Sequence, residues 1–448
     1  MRQKLLNISP LDGRYASKLS FFKDFFSESA LFKKRIFVEI EYLKQLSSFG
    51  VIRKLSQKEI VVLDQIVSNF DLNDALRIKE IEEKINHDIK AVEYFLREKF
   101  NRKKLEDLTA FIHLGLTSED INNLAYGLIF KDLKKNVLEK ELEKVLVSLK
   151  ELADRYKKMP FLARSHGQPA VPTTFGKEIA NFVHRLQKQQ KRLNVFKFEG
   201  KLNGAVGNYN ALSLIFRQID WIKFSRVFIG QLGLVPNFNT TQILPYDNWV
   251  EFFQKLILIN NIFLGLSRDI WTYIMLEELR LIAGKNQVGS STMPQKVNPI
   301  DFENAEGNLE VANSYFQLYE RKLPISRLQR DLSDSTVRRT FGVALGHTVL
   351  AWNSLQQGLG KIALDEEKIK ENLNHHWEVL AEAIQVYLRS TGEVRGYEKI
   401  KKITQGKKMT RENYLSLIKE LRLDKTEIDF INLSPEKYVG LADKLIGL

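Results

Sequence analysis

The residues with the greatest chemical capacity lie in one short stretch, Gln287–Asn308, which reads QVGSSTMPQKVNPIDFENAEGN. Between Gly289 and Pro299 it carries the two serine hydroxyls of Ser290 and Ser291, one ammonium (Lys296) and the amide of Asn298, with Thr292 and Gln295 between. A loop with a cation beside hydroxyls can close over an anionic substrate and supply a base. A free serine holds its proton too tightly at neutral pH, so Ser290 or Ser291 needs activation, to which Lys296 and a following helix start would contribute. A second group, Arg164-Ser165-His166-Gly167-Gln168-Pro169, sets a histidine among polar and turn-forming residues rather than on an apolar face. Imidazole ionises near neutrality, which suits a general acid. A third group, RDLSDSTVRR from Arg330 to Arg339, combines hydroxyls with guanidinium groups just ahead of a helical pattern. Arginine forks hold carboxylate or phosphate in two-point contact. Thr117-Ser118-Glu119-Asp120 has the form of a capping box, and the helix it starts would offer free N–H groups to an anion.

The elements that must position these groups read as helices. Only ten prolines occur in 448 residues, and long stretches lack glycine and proline. Residues 1–15 are irregular and end in the turn Pro10-Leu11-Asp12-Gly13, which presents Arg14 and Tyr15. Helical spacing then runs to about Asn101, marked by Leu31, Ile36, Ile40 and Leu43, with Asn86-His87-Asp88 among its charged residues. From Asn136 the pattern is that of a long bundle: Leu138, Leu142, Val145, Leu149 and Leu152 in a first helix, Phe175, Ile179, Phe182 and Leu186 in a second. A third, Trp249–Ile274, is apolar on nearly every side, which predicts a bundle completed by other subunits. Pro299 suits the first turn of a fourth, and a fifth is predicted from about Thr336 to Lys361. Residues 365–448 return to shorter helices, with Ser434-Pro435 as an N-cap and N1 pair. The only strand candidate is short, near Ala205–Tyr209.

Composition narrows the class. With no cysteine, disulfides and thiolate metal sites are excluded. The N-terminus lacks an apolar core of signal-peptide length. The most apolar run, Leu256–Leu266, contains two asparagines and is too short to span a bilayer, so a cytoplasmic protein with no membrane partner is expected. The net charge of +13 is spread along the chain and alternates with glutamates, as in KEIEEKINHDIK. That pattern describes solvated helix faces, not a basic stripe for nucleic acid, and it accommodates an anionic small substrate.

The loop pattern G-S-S-x-M-P-x-K-x-N-P resembles the signature of the fumarase/aspartase superfamily of β-eliminating lyases. Further blocks, SPLDGRY, KINHDIKAVEYFL, FIHLGLTSEDINN, SHGQPAVPTTFGKE, KLNGAVGNYNA, NTTQI and LQRDLSDSTVRR, resemble one of its families over almost the whole chain. That family is the adenylosuccinate lyases, in their longer bacterial form. Ser165, where Thr usually precedes the histidine, and Gln295, where His is frequent, depart from the commonest pattern outside the matched catalytic positions.

The resemblance implies an all-α, three-domain fold, divided at 1–111, 112–364 and 365–448, with a central bundle completed by tetramerisation. It implies elimination of fumarate from adenylosuccinate to give AMP, and from SAICAR to give AICAR, in purine nucleotide biosynthesis, with no cofactor and no metal. His166 would be the general acid and Ser290 the base. Lys296, Asn298, Ser291 and Asn304 would hold the carboxylates. Arg14, Tyr15, Arg330, Ser335 and Arg339 would meet the phosphate, and Asn86, His87, Asp88, Thr117, Ser118 and Gln242 would line the succinyl and purine side. The homotetramer's sites would be shared between subunits. A sister lyase acting on argininosuccinate, malate or aspartate is the nearest rival, but those substrates lack the phosphate that the arginine blocks suit. A structural relative without turnover is disfavoured by His166, Ser290 and Lys296 occurring together.

Overall fold

Helix caps and apolar spacing set the architecture. The computed structural model describes residues 5–282, 292–293 and 295–447. From the N-terminus, α1 (Glu28–Ser48), α2 (Leu72–Ile85) and α3 (Asp88–Arg102) lead to α4 (Ser118–Leu133). This helix continues through a π turn, Lys134–Leu138, into α5 (Glu139–Arg155). The long helices α6 (Phe175–Asn194), α7 (Asp247–Met275), α8 (Ile300–Lys322) and α9 (Phe341–Leu359) follow. Strands among the described residues are two or three residues long and pair only two at a time. The all-α expectation therefore holds.

The chain divides into two compact units. The first comprises residues 1–141, 190–260 and 308–350, and the second 142–189, 261–307 and 351–448. Within the first, Ser27 caps α1 by accepting from the Ala30 N–H at 3.1 Å. The predicted apolar positions Ile36, Ile40 and Leu43 are buried against α4. The core is aromatic: Phe130 meets Phe198, Trp249 and Phe341 with ring centroids 5.6, 5.2 and 5.2 Å apart. Such pairs add about 0.5–1.5 kcal/mol each beyond area burial. In the second unit, Phe161 packs edge-on against Phe175 and Tyr273, and Phe263 against Trp352. Its strands Leu279–Leu281 and Ile362–Leu364 pair antiparallel, Leu279 opposite Leu364. The C-terminal short helices close on Trp377, Ile384, Tyr414 and Leu417.

Three sequence readings change, and the packing of α7 adds to a fourth. The bundle does not begin afresh at Asn136: α4 runs on into α5, and the π turn's extra residue shifts the apolar face and hides the continuity. Lys134, buried at that turn, donates to the Leu193 and Asn194 carbonyls at 3.0 Å each, closing the end of α6. The fifth helix is broken. A short helix, Ser333–Arg338, stops where Thr340 Oγ1 donates to the Val337 carbonyl at 2.7 Å, and α9 then starts at Phe341. No strand forms at Ala205–Tyr209, because Gly204 and Gly207 take positive φ of 83° and 82° and fold a turn. The short parallel pair lies instead at Glu199–Gly200 and Val235–Pro236. Finally, the chain itself covers most of α7. Its most apolar window is long enough to cross a membrane, yet 61% of it is buried inside the protein, leaving Leu258, Trp271 and Met275 as its exposed large apolar residues. Apolarity of this helix is thus mainly that of a core element.

Candidate functional site

In the first unit, the predicted blocks converge on a cavity of about 550 Å³ whose lining includes Asn86, His87, Asp88, Ser118, Arg330, Ser335 and Arg339. Local geometry explains the Asn-His-Asp order. Asn86 closes α2 in the left-handed region (φ 54°, ψ 36°), which asparagine tolerates better than most residues. His87 caps α3: its Nδ1 accepts from the Lys90 N–H at 3.1 Å, so the ring proton sits on Nε2. Asp88 accepts from Arg35 Nη2 at 2.7 Å. At the start of α4 the expected capping box is present, with the Asp120 carboxylate accepting from the Thr117 N–H at 2.9 Å. The first turn of α4 thus reaches the cavity at Ser118, while its Asp120 N–H donates to the Thr117 carbonyl at 2.9 Å.

A buried polar chain joins these blocks. Arg35 Nε donates to Asn122 Oδ1 at 3.0 Å, and Asn122 donates to Glu119 at 2.9 Å. Glu119, 1% exposed, receives Arg338 through both terminal nitrogens at 3.1 Å and Arg330 Nη2 at 3.0 Å. Arg338 also pairs with Asp334, which accepts from Tyr246 at 2.6 Å. Arg330 reaches Gln242 Oε1 at 3.4 Å. Burial alone would raise the Glu119 carboxyl, but Arg338 and Arg330 outweigh it and hold the group below the usual carboxylate range. Arg35 and Arg338 are therefore neutralised by carboxylates and Arg330 shares Glu119 with Arg338, while the exposed Arg339 lines the cavity beside Arg330. Thr117 and Gln242 sit one bond behind its wall. Arg14 and Tyr15 lie in the N-terminal turn of the same unit, where Tyr15 N–H donates to the Pro10 carbonyl at 2.8 Å.

The second unit carries the remaining candidates. The strands Arg164–Ser165 and Gln168–Pro169 form a hairpin closed by His166 and Gly167 alone. Both have positive φ, 53° and 74°, as a two-residue type I′ turn requires. Glycine adopts this freely, whereas a histidine there is strained, and strain of this kind concentrates at functional sites. The imidazole is exposed at the tip. Pro299 precedes the first turn of α8 as expected, Lys296 is exposed, and Asn304 accepts from Ser354 Oγ at 2.8 Å on α8. Asn298 is half-buried beside Pro299 and Lys361. Ser290 and Ser291 lie outside the described residues. Among the described residues, no three His, Asp or Glu side chains converge as a metal site needs.

Sequence reading missed Arg35, Glu119, Asn122 and Tyr246. One signal was available: Glu119, Asp120, Asn122 and Asn123 stand directly before the apolar run Leu124–Phe130 of the same helix, and all four are buried. It also missed His113, which sits at φ 59° with Nδ1 2.6 Å from Glu39. Burial would lower the His113 pKa, but the charge and hydrogen bond of Glu39 outweigh it and raise it.

A family model described as Lyase matches residues 13–312, and one described as Adenylosuccinate lyase C-terminal matches residues 326–439. The fold is that of the solved fumarate lyase of Mesorhizobium sp. BNC1 (TM-score 0.77, 18% identity, 95% of this chain and 96% of that one). The 3-carboxy-cis,cis-muconate lactonizing enzyme of Pseudomonas putida is similar (TM-score 0.78, 19% identity, 96% and 95%). The class is therefore a lyase. At higher identity stand the adenylosuccinate lyases of Haemophilus influenzae, 46% identical over 449 residues (99% of this chain, 98% of that one), and of Escherichia coli K12, 42% over 447 residues (99% and 98%). The chain belongs to the adenylosuccinate lyase family.

Proposed function

We propose that this enzyme eliminates fumarate from adenylosuccinate, leaving AMP, and does the same to SAICAR, leaving AICAR, as a cytoplasmic homotetramer of purine nucleotide biosynthesis that uses no cofactor. The observation that carries the reading is the cavity walled by Arg330, Arg339, Ser335 and the start of α4, in a chain of this family. Its size suits a mononucleotide, and its donors suit a phosphate.

Ser290 removes a proton from Cβ of the succinyl group, and the electron pair left there forms the fumarate double bond as the C–N bond breaks. His166 delivers a proton to the departing nitrogen. Charge gathers on the carboxylate beside Cβ before the bond breaks, so Lys296, Asn298, Ser291 and Asn304 act most strongly on that state. Arg14, Tyr15, Arg330, Ser335 and Arg339 seat the phosphate, while Asn86, His87, Asp88, Thr117, Ser118 and Gln242 line the purine and succinyl side. Sites are shared between subunits. In support, His87 Nε2–H is left as a donor by its cap. The test is ultraviolet-monitored incubation with adenylosuccinate or argininosuccinate. Fumarate and AMP should appear one to one from the first and nothing from the second. Release from argininosuccinate alone would transfer the reading to the sister lyase.

A further inference from the structure

The hairpin that carries His166 is short, and its second tie to the protein runs through Arg164, two residues before the imidazole. Arg164 Nη2 lies 3.5 Å from Oε1 of Glu278, a carboxylate that is 1% exposed. Glu278 is itself rigidly held. Its carbonyl accepts from the Asp365 N–H at 3.0 Å, and its side chain accepts from Asn372 Nδ2 at 3.0 Å on the helix Glu366–Asn374. It immediately precedes the strand Leu279–Leu281, which is paired to Ile362–Leu364. A chain of contacts thus leads from a fixed two-stranded platform through Glu278 and Arg164 to the His166 turn.

The pair is poorly suited to stabilising the fold. Among the described residues, Glu278 Oε2 and Arg164 Nε are both buried with no hydrogen-bond partner. Burial pushes the Glu278 carboxyl up, and Asn372 and Arg164 only partly offset it. An incompletely satisfied buried ion pair is often no better than apolar residues of the same volume, which directs attention to what it holds in place.

We propose that Glu278, acting through Arg164, is a positioning residue that sets the His166 turn for proton delivery. This rests on the reading of His166 as the acid. Supporting groups behind a reacting side chain hold it within fractions of an ångström, and a 1 Å misplacement can lower turnover by roughly 100-fold.

The test is steady-state cleavage of adenylosuccinate by the full-length enzyme and its Glu278→Gln variant, which keeps shape and removes charge. Turnover should fall roughly 10- to 100-fold with KM changed less than about threefold, because the phosphate and carboxylate contacts are untouched. Arg164→Gln should fall equally, and the double variant no further, since both act through one contact. Hydrogen exchange at the Ala170 N–H, bonded to the Ala163 carbonyl across the hairpin, should quicken in Glu278→Gln. If Glu278→Gln does not fold, Asn372→Ala loosens the same carboxylate more gently and should lower kcat several-fold at constant KM. Parental kcat in a folded Glu278→Gln or Asn372→Ala protein, or a double variant whose losses multiply, overturns the proposal while leaving the lyase reading intact. A parental enzyme that releases no fumarate sinks both.

Discussion

Replacing His166 by glycine should make the protein more stable and nearly inactive. The residue sits at φ 53° in a two-residue turn beside Gly167 at φ 74°, and its side chain is exposed. A non-glycine L-residue in the left-handed region costs about 1–2 kcal/mol. Glycine avoids that cost but loses about 0.5–1 kcal/mol more in chain entropy on folding. With no packing to lose, the difference predicts a net gain of roughly 0.5–1 kcal/mol for His166→Gly. His166→Asn should change stability little, because asparagine tolerates this conformation, and it keeps the turn while removing the acid. Both variants should lose roughly 100-fold or more in kcat for adenylosuccinate. Urea midpoints at fixed protein concentration give the first quantity and fumarate release the second. A glycine variant less stable than the parent would refute the strain argument. Parental turnover in the asparagine variant would refute the acid role, since the turn is preserved there.

Glu119→Gln should cost about 3–5 kcal/mol, because Arg330 and the buried Arg338 would lose the carboxylate they share; a midpoint shift under 1 kcal/mol would contradict the network's place in the fold. The Glu119 pKa is held below its unfolded value, so its contribution is present above about pH 4.5 and lost as pH falls through the folded value; Glu119→Gln should flatten that acid limb. His113 shifts the other way: with its pKa raised by Glu39, its contribution is whole below about pH 6.5 and lost as pH rises through the folded value. His113→Gln should remove that slope, and an unchanged stability profile above pH 6.5 would count against the pair. Mixing inactive His166→Ala with inactive Ser290→Ala subunits should restore activity if the two groups meet across a subunit boundary, and no recovery in verified mixed tetramers would place both on one chain.

What the sequence made legible was local. Thr117 and Asp120 announce the start of α4, Pro299 that of α8, and the apolar spacing of Leu138 to Leu152 the helix α5, because caps and periodicity act within a few residues. The network at the cavity floor is not local. Arg35 reaches Asn122 across 87 residues and Glu119 reaches Arg338 across 219, so each looks like an ordinary charged helix residue until the helices pack. The His166 turn lies between these cases. His-Gly flanked by Ser165 and Gln168 fits a two-residue hairpin loop, but the positive φ at His166 only becomes apparent once the strands pair. The strand expected at Ala205–Tyr209 failed because Gly204 and Gly207 outweighed its apolar residues, and the continuity of α4 and α5 was concealed by one extra residue in the π turn.

The most direct measurement compares cleavage of adenylosuccinate with that of succinyladenosine, the same molecule without its phosphate. The reacting carbons, nitrogen and carboxylates are identical, so only the seat assigned to Arg14, Tyr15, Arg330, Ser335 and Arg339 distinguishes the two. Losing a phosphate contact made by these arginines should lower kcat/KM by roughly 100-fold or more, at about 1.5–3 kcal/mol per charged hydrogen bond. Stoichiometric fumarate from adenylosuccinate, with that loss for the phosphate-free substrate, is the result expected. Equal cleavage of the two, or no fumarate from adenylosuccinate, would contradict it.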